Sequence, residues 1–422
     1  MTMVKRLFAG AGLSMVLVAG TLAPAGAASA ERGPGLDRRA LQDSLDAIHE
    51  AGMYGIYAEV RDGRREWDGA AGVADVETRR PVHAQMRHRV GSITKTFVSV
   101  AILQQVERGT IELDAPVARY LPELIPGERG RQITVRMLLN HTSHIGDYIG
   151  GAFPSLLEGS TASLDDQRFR TIKPEKLVEL GLAATPTGTP GIAPGSYSNT
   201  NYIVAGLLLE KVTGIKAETY VTRNVIRKAG LHHTSFPSTP HIPGPHSKAY
   251  ESWLGFIDPP RDYSVYNMSW ASTAGAVVST MDDLNRFYRA LLTGKLIGAE
   301  QLAQMQTTVP VAVGGGAMNY GLGLYYVDIP SCGRFWGHDG AVFGMATQSL
   351  SSPDGSRQLS FGFNLTKYQR LDENGNFEPS PIDDALVPHL LLALCGPDTA
   401  EAKTARSLPF TPVPTDKVLV KR

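Results

Sequence analysis

Ser92 and Lys95 are the first residues in the chain whose types and spacing suit a chemical reaction. They belong to the stretch Ser92-Ile-Thr-Lys95, and a helical pattern continues to about Gly109. Side chains three residues apart share a helix face, so the amine comes within reach of the serine hydroxyl. A lysine whose pKa is lowered by burial can accept the serine proton and activate a nucleophile. The spacing is equally typical of a helix-capping serine followed by an exposed lysine.

Tyr197 and Asn199 form a second group, which follows the turn residues Pro194-Gly195. A loop of this kind presents side chains rather than packing them. A phenol near a cation can lose its proton and serve as a base. An asparagine offers both a donor and an acceptor to a substrate amide. The alternative is an ordinary turn with a buried tyrosine.

The stretch Gly337-His338-Asp339-Gly340 forms the third group, at the end of a predicted strand. A histidine there can supply or relay a proton. Glycine allows the backbone to approach a ligand closely. A simple strand-end turn has the same pattern.

The elements that must position these groups are strands near both ends of the chain and a mainly helical middle. We predict a helix over 37–52, a hairpin around Asp62-Gly63, helices at Ile203–Val212 and Met281–Leu292, and a last helix at Ile382–Leu394. Short strands are predicted from Gly321, Arg334, Met345 and Gln358. The fold class is therefore α/β (α+β), with an antiparallel sheet flanked by helices and built from both chain ends.

The predicted catalytic domain covers 31–396. Its α/β part spans about 37–90 and 300–396, and its inserted helical part spans about 91–299. One large domain with a subdomain and two interleaved domains both fit this length. A cleft between the two parts is the expected ligand site.

Charge and composition limit the classes of molecule that this protein is expected to bind. Lys plus Arg and Asp plus Glu both number 41, so the formal net charge is zero and nothing favours nucleic-acid binding. We expect a small amide, ester or peptide substrate, no cofactor, no metal and a monomer.

The first 30 residues have the pattern of a secretory signal peptide. Lys5 and Arg6 precede an apolar stretch, and two A-x-A cleavage sites end at Ala27 and Ala30. A membrane anchor is the alternative, although glycines dilute the segment. We expect a secreted protein, with a disordered tail over 397–422.

Two cysteines, Cys332 and Cys395, permit one disulfide in an exported protein, and two free thiols are the alternative. Neither has a ligand at zinc-site spacing.

Together the three groups resemble the penicillin-recognising serine hydrolases. The sequence signature of that group is S-x-x-K, then a polar triplet, then a third motif on a strand. The variant with Y-S-N and H-D-G resembles the branch that holds class C β-lactamases, secreted actinomycete D-alanyl-D-alanine carboxypeptidases, D-aminopeptidases and related esterases. The likeness runs from about 40 to 396. It is carried as well by 97–109, 113–122, 133–143, 196–214, 269–287 and 320–324.

The resemblance implies a role for each residue. Ser92 is the nucleophile, Lys95 and Tyr197 shuttle its proton, and His338 keeps the Tyr197 region electropositive. The substrate-binding residues implied are Asn199 for the substrate amide, the N–H groups of Ser92 and Ala341 for the oxyanion, Gly340 beside them, and Trp270 as a pocket wall. The resemblance also favours a Cys332–Cys395 disulfide, and it implies that β-lactams act as inhibitors.

Asp339 departs from the carboxypeptidase pattern, which has a small hydroxyl residue there for the substrate carboxylate. Near Tyr325 those enzymes place an arginine for the same carboxylate. An anion repels a carboxylate and attracts an α-amino group. The hypothesis is a preference for D-aminoacyl amides, esters or peptides with a free amino end. Strand alternation leaves open that Asp339 points away from the pocket.

Other functions remain as alternatives. A β-lactamase or carboxylesterase of the same fold and a non-catalytic penicillin-binding module share the three motifs. No G-x-S-x-G elbow occurs, which disfavours an ordinary α/β-hydrolase. His141 and His144 lack the glutamate of H-E-x-x-H, and His232-His233 lack acidic neighbours. We interpret both pairs as structural or solvent-exposed.

Overall fold

The computed structural model describes residues 36–313, 316–330, 332–373 and 375–397. The predicted signal peptide and nearly all of the predicted tail lie outside these residues. Within the described ranges, no helix has the length and apolar character needed to cross a bilayer.

A ten-stranded sheet, counted over the described residues, is the centre of the fold. The strands of the molecule are β1 (Gly55–Asp62), β2 (Arg65–Asp75), β3 (Arg80–Pro81), β4 (His88–Arg89), β5 (Gly195–Ser196), β6 (Tyr250–Glu251), β7 (Arg261–Asp262), β8 (Val278–Ser279), β9 (Val309–Val313), β10 (Gly316–Tyr320), β11 (Tyr325–Ile329), β12 (Gly333–Val342), β13 (Met345–Ser351), β14 (Arg357–Phe363) and β15 (Leu365–Thr366). The order in the large sheet is β3-β2-β1-β14-β13-β12-β11-β10-β9-β5. Its neighbours pair antiparallel, except for the parallel pair β5–β9.

The pairing of β1 with β14 joins the two ends of the chain in one sheet. This confirms the predicted fold class, a mixed α/β fold with a large, mostly antiparallel sheet.

Helices flank the sheet and fill most of the middle of the chain. They are α1 (Arg38–Glu50), α2 (Thr94–Glu107), α3 (Gly127–Gln132), α4 (Val135–Leu139), α5 (Ile149–Ala152), α6 (Ala162–Gln167), α7 (Pro174–Ala183), α8 (Thr200–Thr213), α9 (Ala217–Val221), α10 (Ser272–Gly275), α11 (Met281–Leu292), α12 (Ala299–Gln306) and α13 (Pro381–Cys395).

Two apolar clusters hold these layers together. Ile56 and Ala58 of β1 belong to the cluster that includes α1 and α13, whereas Tyr57 between them belongs to the cluster around α2, α8 and α11. Successive strand residues face opposite sides of a sheet, so β1 contributes to both cores. Leu41, Leu45 and Ile48 give α1 its buried stripe.

Some element bounds differ from the prediction. The strand expected from Gly321 begins at Tyr325, because residues 321–324 form the turn between β10 and β11, closed by the Gly321 N–H on the Leu324 carbonyl (2.8 Å). Helix α8 begins at Thr200, three residues before the predicted Ile203. Helix α11 has its predicted bounds.

Cys332 and Cys395 are paired, with their Cα atoms 5.3 Å apart. This distance lies in the usual range for a disulfide. The pair connects the turn before β12 to the end of α13.

Candidate active site

Ser92 lies in a 3-10 turn, Gly91–Ile93, immediately before α2. Gly91 has a φ of +53°, and a Cβ there would lie 2.6 Å from the Ala341 nitrogen. A Cβ on Gly340 would lie 2.6 Å from the Ser92 nitrogen. Both positions therefore require glycine, because the turn and β12 are in direct backbone contact. This contact brings the Ser92 and Ala341 amides to one wall of the site.

Lys95 is fully buried in the first turn of α2. Its Nζ donates to Ser92 Oγ (2.8 Å), Asn199 Oδ1 (2.8 Å) and the Ala274 carbonyl (2.9 Å). These three acceptors match the three protons of an ammonium group. The sequence-predicted contact between Ser92 and Lys95 is therefore present in the structure.

Burial lowers the pKa of Lys95 to about 7, although the charges of Asp147 and Asp339 raise it. A substantial fraction of the amine is therefore neutral near pH 7. A neutral amine that donates to Asn199 and Ala274 has its lone pair left for the Ser92 hydroxyl proton. This is the arrangement that a general base for Ser92 requires.

Tyr197 contacts the same serine from the other side. Its phenol is close enough to the Ser92 hydroxyl for that group to lower its pKa, and its ring lies 4.9 Å from Lys95 Nζ. Burial has the larger effect and raises the pKa of Tyr197 well above its usual value. The phenol is therefore protonated at neutral pH, and the prediction that it loses its proton to a nearby cation is wrong for the free protein. A protonated phenol in this place can donate to a leaving group and recover a proton from Lys95.

Asn199 is held by Asp147, a residue that the sequence motifs did not indicate. The backbone N–H and the side-chain Nδ2 of Asn199 both donate to Asp147 Oδ2, each at 2.8 Å. Asp147 Oδ1 accepts from the Ile149 N–H (2.9 Å). The side chain of Asn199 thus connects Lys95 to Asp147. If Asn199 also holds a substrate amide, as predicted, its side-chain amide must bond Asp147 and the substrate together.

His338 lies behind Tyr197 rather than beside the serine. Its Nε2 is 2.8 Å from the Tyr320 phenol, and its Nδ1 approaches the Asp339 carbonyl at 2.5 Å. Burial, and then the charge of Lys95, lower the pKa of His338 to about 3. The imidazole is neutral at pH 7, so the prediction that His338 keeps this region electropositive is wrong. Its role in this geometry is to anchor Tyr320 and β12.

Asp339 lines the same pocket as Ser92 and Tyr197. Burial raises the pKa of Asp339 to about 7, although the nearby Tyr325 phenol and the charge of Lys95 lower it. Its Oδ1 lies 3.6 Å from His338 Nδ1, but that contact is not an ion pair because His338 is neutral. A bound ammonium group would favour the ionised carboxylate.

The pocket contains a cavity of about 80 Å³ that opens to solvent. Its walls include Trp270, as predicted, together with Tyr148, Ile149 and Phe343. Tyr325 is not among the lining residues. It is buried, and its phenol accepts a hydrogen bond from Gln348 Nε2 (3.0 Å). Its predicted contact with substrate stays a prediction.

His141 and His144 are buried, so the solvent-exposed alternative is excluded for this pair. The His141 ring lies 4.1 Å from that of Tyr197, and its Nδ1 accepts from the Ser198 N–H (3.2 Å). His141 therefore packs against the Tyr197 ring and helps to fix its position. Among the described residues, no group of three or more His, Cys, Asp or Glu side chains is placed to hold a metal ion.

Comparison with known proteins decides the family. The family model described as Beta-lactamase matches residues 38–352. The chain belongs to the Beta-lactamase family. It is a serine hydrolase of the fold shared by β-lactamases and penicillin-binding proteins, and this confirms the predicted resemblance.

Several relatives show how the family varies. The chain is 28% identical to a D-aminopeptidase from Cereibacter sphaeroides over 76% of its own length and 58% of that protein. It is 26% identical to the putative penicillin-binding protein PbpX of Bacillus subtilis, over 66% of this chain and 63% of the relative. The chain thus spans about three fifths of the length of these curated relatives.

Two solved structures cover more of the fold. A D-stereospecific amidohydrolase from Streptomyces sp. is 36% identical, with a TM-score of 0.74 over 85% of this chain and 99% of that one. A D-amino acid amidase from Ochrobactrum anthropi is 23% identical, with a TM-score of 0.68 over 78% of this chain and 91% of that one. The second likeness concerns the fold alone.

Proposed function

We propose that this protein is a secreted serine hydrolase that forms an acyl-enzyme on Ser92 and acts on D-aminoacyl amides, esters or peptides with a free amino end. The observation that carries the proposal is the position of the Ser92 hydroxyl between Lys95 Nζ and the Tyr197 phenol. The named activities of the D-aminopeptidase and D-stereospecific amidohydrolase relatives favour D-configured substrates.

The reaction follows from the protons in the site. Neutral Lys95 takes the Ser92 proton while Oγ forms a bond to the substrate carbonyl carbon. The resulting oxyanion accepts hydrogen bonds from the Ser92 and Ala341 amides, a type of contact whose loss costs about 100- to 1000-fold in rate. Tyr197 gives its proton to the leaving amine or alkoxide as that bond breaks, and Lys95 returns a proton to Tyr197. Water then attacks the ester, releasing the acid and restoring Ser92.

Asp339 supplies the preference for a free amino group. It lines the pocket beside Ser92, and as a carboxylate it attracts an ammonium group and repels a substrate carboxylate at the same place. A secreted location and a Cys332–Cys395 disulfide complete the proposal, because an oxidising environment keeps such a pair bonded.

Intact-mass measurement tests the proposal directly. The protein is incubated with a D-aminoacyl ester, with its L-enantiomer and with a β-lactam, and Ser92→Ala is treated in parallel. We expect a transient adduct and product from the D-ester, and neither in the Ser92→Ala variant. A stable penicillin adduct without turnover of any amide or ester would instead indicate a non-catalytic binding module.

A further inference from the structure

Lys367 lies in the wall of the pocket that contains Ser92, on the segment that follows β15. Its side chain is 15% exposed, so the ammonium group is at the inner surface of the pocket rather than in bulk solvent. None of the three sequence motifs includes this residue, and the reaction described above does not use it.

Glu251 fixes the position of this cation. The fully buried carboxylate accepts from Lys367 Nζ (2.8 Å), the Thr366 hydroxyl (2.9 Å) and the backbone N–H groups of Trp253 (2.9 Å) and Gly344 (3.3 Å). Neutral donors therefore stabilise Glu251 along with the lysine. An ammonium has three N–H donors, so its bond to Glu251 leaves two for other acceptors.

Two aromatic rings lie beside the ammonium group. Lys367 Nζ lies 4.5 Å from the centroid of the Trp253 ring and 5.4 Å from that of Phe343. Phe343 in turn lies 5.2 Å from Trp270, and all three rings line the pocket. Apolar rings lower the local polarity, and a cation in such surroundings attracts an anion more strongly than one in bulk water.

The backbone is strained on both sides of this contact. Lys367 and Trp253 each have a φ of +48°, and Leu254 has a φ of +60°. The Leu254 N–H bonds the Lys367 carbonyl at 2.7 Å, and the Ser252 N–H bonds the Thr366 carbonyl at 3.1 Å. Non-glycine residues in this conformation cost free energy, and they concentrate where a ligand is held.

We infer that Lys367 binds a carboxylate of the substrate, with an apolar group of the same molecule against Trp253, Phe343 and Trp270. The inference rests on the proposed function and extends it: Asp339 takes the amino end, and Lys367 takes an anionic group. That carboxylate has two possible sources, the C-terminus of a second residue in a D-dipeptide or the acidic side chain of the residue that is transferred to Ser92.

Binding of two small aromatic probes tests the subsite without any turnover. Phenylacetate and phenylacetamide share a shape and differ in charge, and the fluorescence of Trp253 and Trp270 reports their binding. We expect phenylacetate to bind at least about tenfold more tightly, as a charge-assisted hydrogen bond predicts. Lys367→Arg should keep this ratio, whereas Lys367→Met should bring it to about one.

The variant Lys367→Met leaves Glu251 buried without its cation, which destabilises a fold. The double variant Glu251→Gln/Lys367→Met removes both charges, so we expect it to fold better than Lys367→Met alone and use it as the control. The inference is wrong if wild-type protein binds the two probes equally, or if the ratio survives in the double variant.

Two substrate pairs identify the source of the carboxylate. D-Phe-D-Ala is compared with D-Phe-D-alaninamide, and D-glutamic α-amide with D-glutamine amide. The wild type should prefer the carboxylate in one of these pairs, and the Lys367 variants should lose that preference. The pair in which this happens identifies the source of the carboxylate. A preference that persists in both pairs overturns the inference. If no D-substrate is hydrolysed at all, the proposed function fails, while the probe titration still decides whether Lys367 binds a carboxylate.

Discussion

Asn199 donates its backbone N–H and its side-chain amide to one oxygen of Asp147, and this doubly bonded amide presents its own oxygen to Lys95. The position of the base therefore depends on a carboxylate that does not itself contact Ser92. Two effects of Asp147 are separable: it orients Asn199, and its negative charge raises the pKa of Lys95.

Replacement of Asp147 by Asn should change both quantities. We expect kcat to fall roughly 10- to 100-fold because Asn199 and Lys95 lose their fixed geometry. The pKa of Lys95 should also fall, because a charge that raises it is removed, so the acid limb of the rate profile should move to lower pH. Steady-state kinetics from pH 5 to 9 measure both. Unchanged kcat with an unmoved limb would contradict this role, and Asp147→Glu should retain the position of the limb better than Asn.

The rate of ester hydrolysis should rise with pH around pH 7. Only the neutral form of Lys95 accepts the Ser92 proton, and the pKa of Lys95 is about 7. An uncharged ester removes the substrate amino group from the profile of kcat/KM, and the same profile for Asp339→Asn removes the other pocket group whose pKa is about 7. A profile that falls with pH through this range would exclude neutral Lys95 as the base.

His338 provides the matched comparison for that profile. It is neutral throughout the range because its pKa is about 3. Substitution His338→Gln should therefore lower the rate through lost packing and hydrogen bonding without moving the acid limb. A limb displaced toward higher pH would show that a positive His338 had been lowering the pKa of Lys95.

Substitution Asp339→Asn should remove the preference for a free amino group. The measured quantity is the ratio of kcat/KM for D-phenylalanine amide to that for N-acetyl-D-phenylalanine amide. We expect the ratio to fall about tenfold, the size of a hydrogen bond to a charged group. The ratio cancels any effect of Asp339 on the pKa of Lys95. Faster turnover by the wild type of an acyl-D-Ala-D-Ala peptide than of D-phenylalanine amide would exclude the amino-end preference.

Gly340 should not tolerate even a methyl group. A Cβ there would lie 2.0 Å from the Val90 carbonyl and 2.6 Å from the Ser92 nitrogen, so Gly340→Ala must separate β12 from the nucleophile turn. We expect at least about a 100-fold loss of kcat as the oxyanion contacts are displaced. Gly150→Ala is the control, because its Cβ would meet Leu157 at 3.5 Å, an ordinary contact. Equal activities of the two variants would refute the argument.

The parts of this site that the sequence predicts are those fixed by local geometry. Ser92 and Lys95 are three residues apart at a helix start, so their contact needs no knowledge of the tertiary fold. The strands at the two chain ends are also predicted from a local pattern, the alternation of apolar residues. Their apolar faces must be buried, and this favours one shared sheet. Tyr197 reaches Ser92 only through long-range packing, and its position was indicated by the order of the family motifs.

The residues that the sequence did not reveal act through burial or loops. Asp147 follows α4 in a loop without a recognisable motif, and its partner Asn199 is 52 residues away. The neutrality of His338 and the protonated phenol of Tyr197 result from desolvation by the whole fold, which no local pattern encodes. The resemblance puts Tyr325 near an arginine of the related enzymes, whereas its side chain is buried in β11 and bonds Gln348.

Glu59 should make the protein less stable as the pH rises, independently of the active site. It is only 8% exposed in β1, and burial, followed by the charges of Asp282 and Asp68, raises its pKa from 4.5 to about 8. Between these values the folded state holds a proton that the unfolded state has lost, so this group lowers the free energy of unfolding as pH rises through the interval. Glu59→Gln lacks the ionisation. Its stability relative to wild type should grow by at least about 1 kcal/mol between pH 5 and 8.5, measured by urea unfolding, whereas the exposed Glu123→Gln should follow the wild-type curve. Parallel curves for Glu59→Gln and wild type would mean that Glu59 ionises in the folded protein at its ordinary pKa.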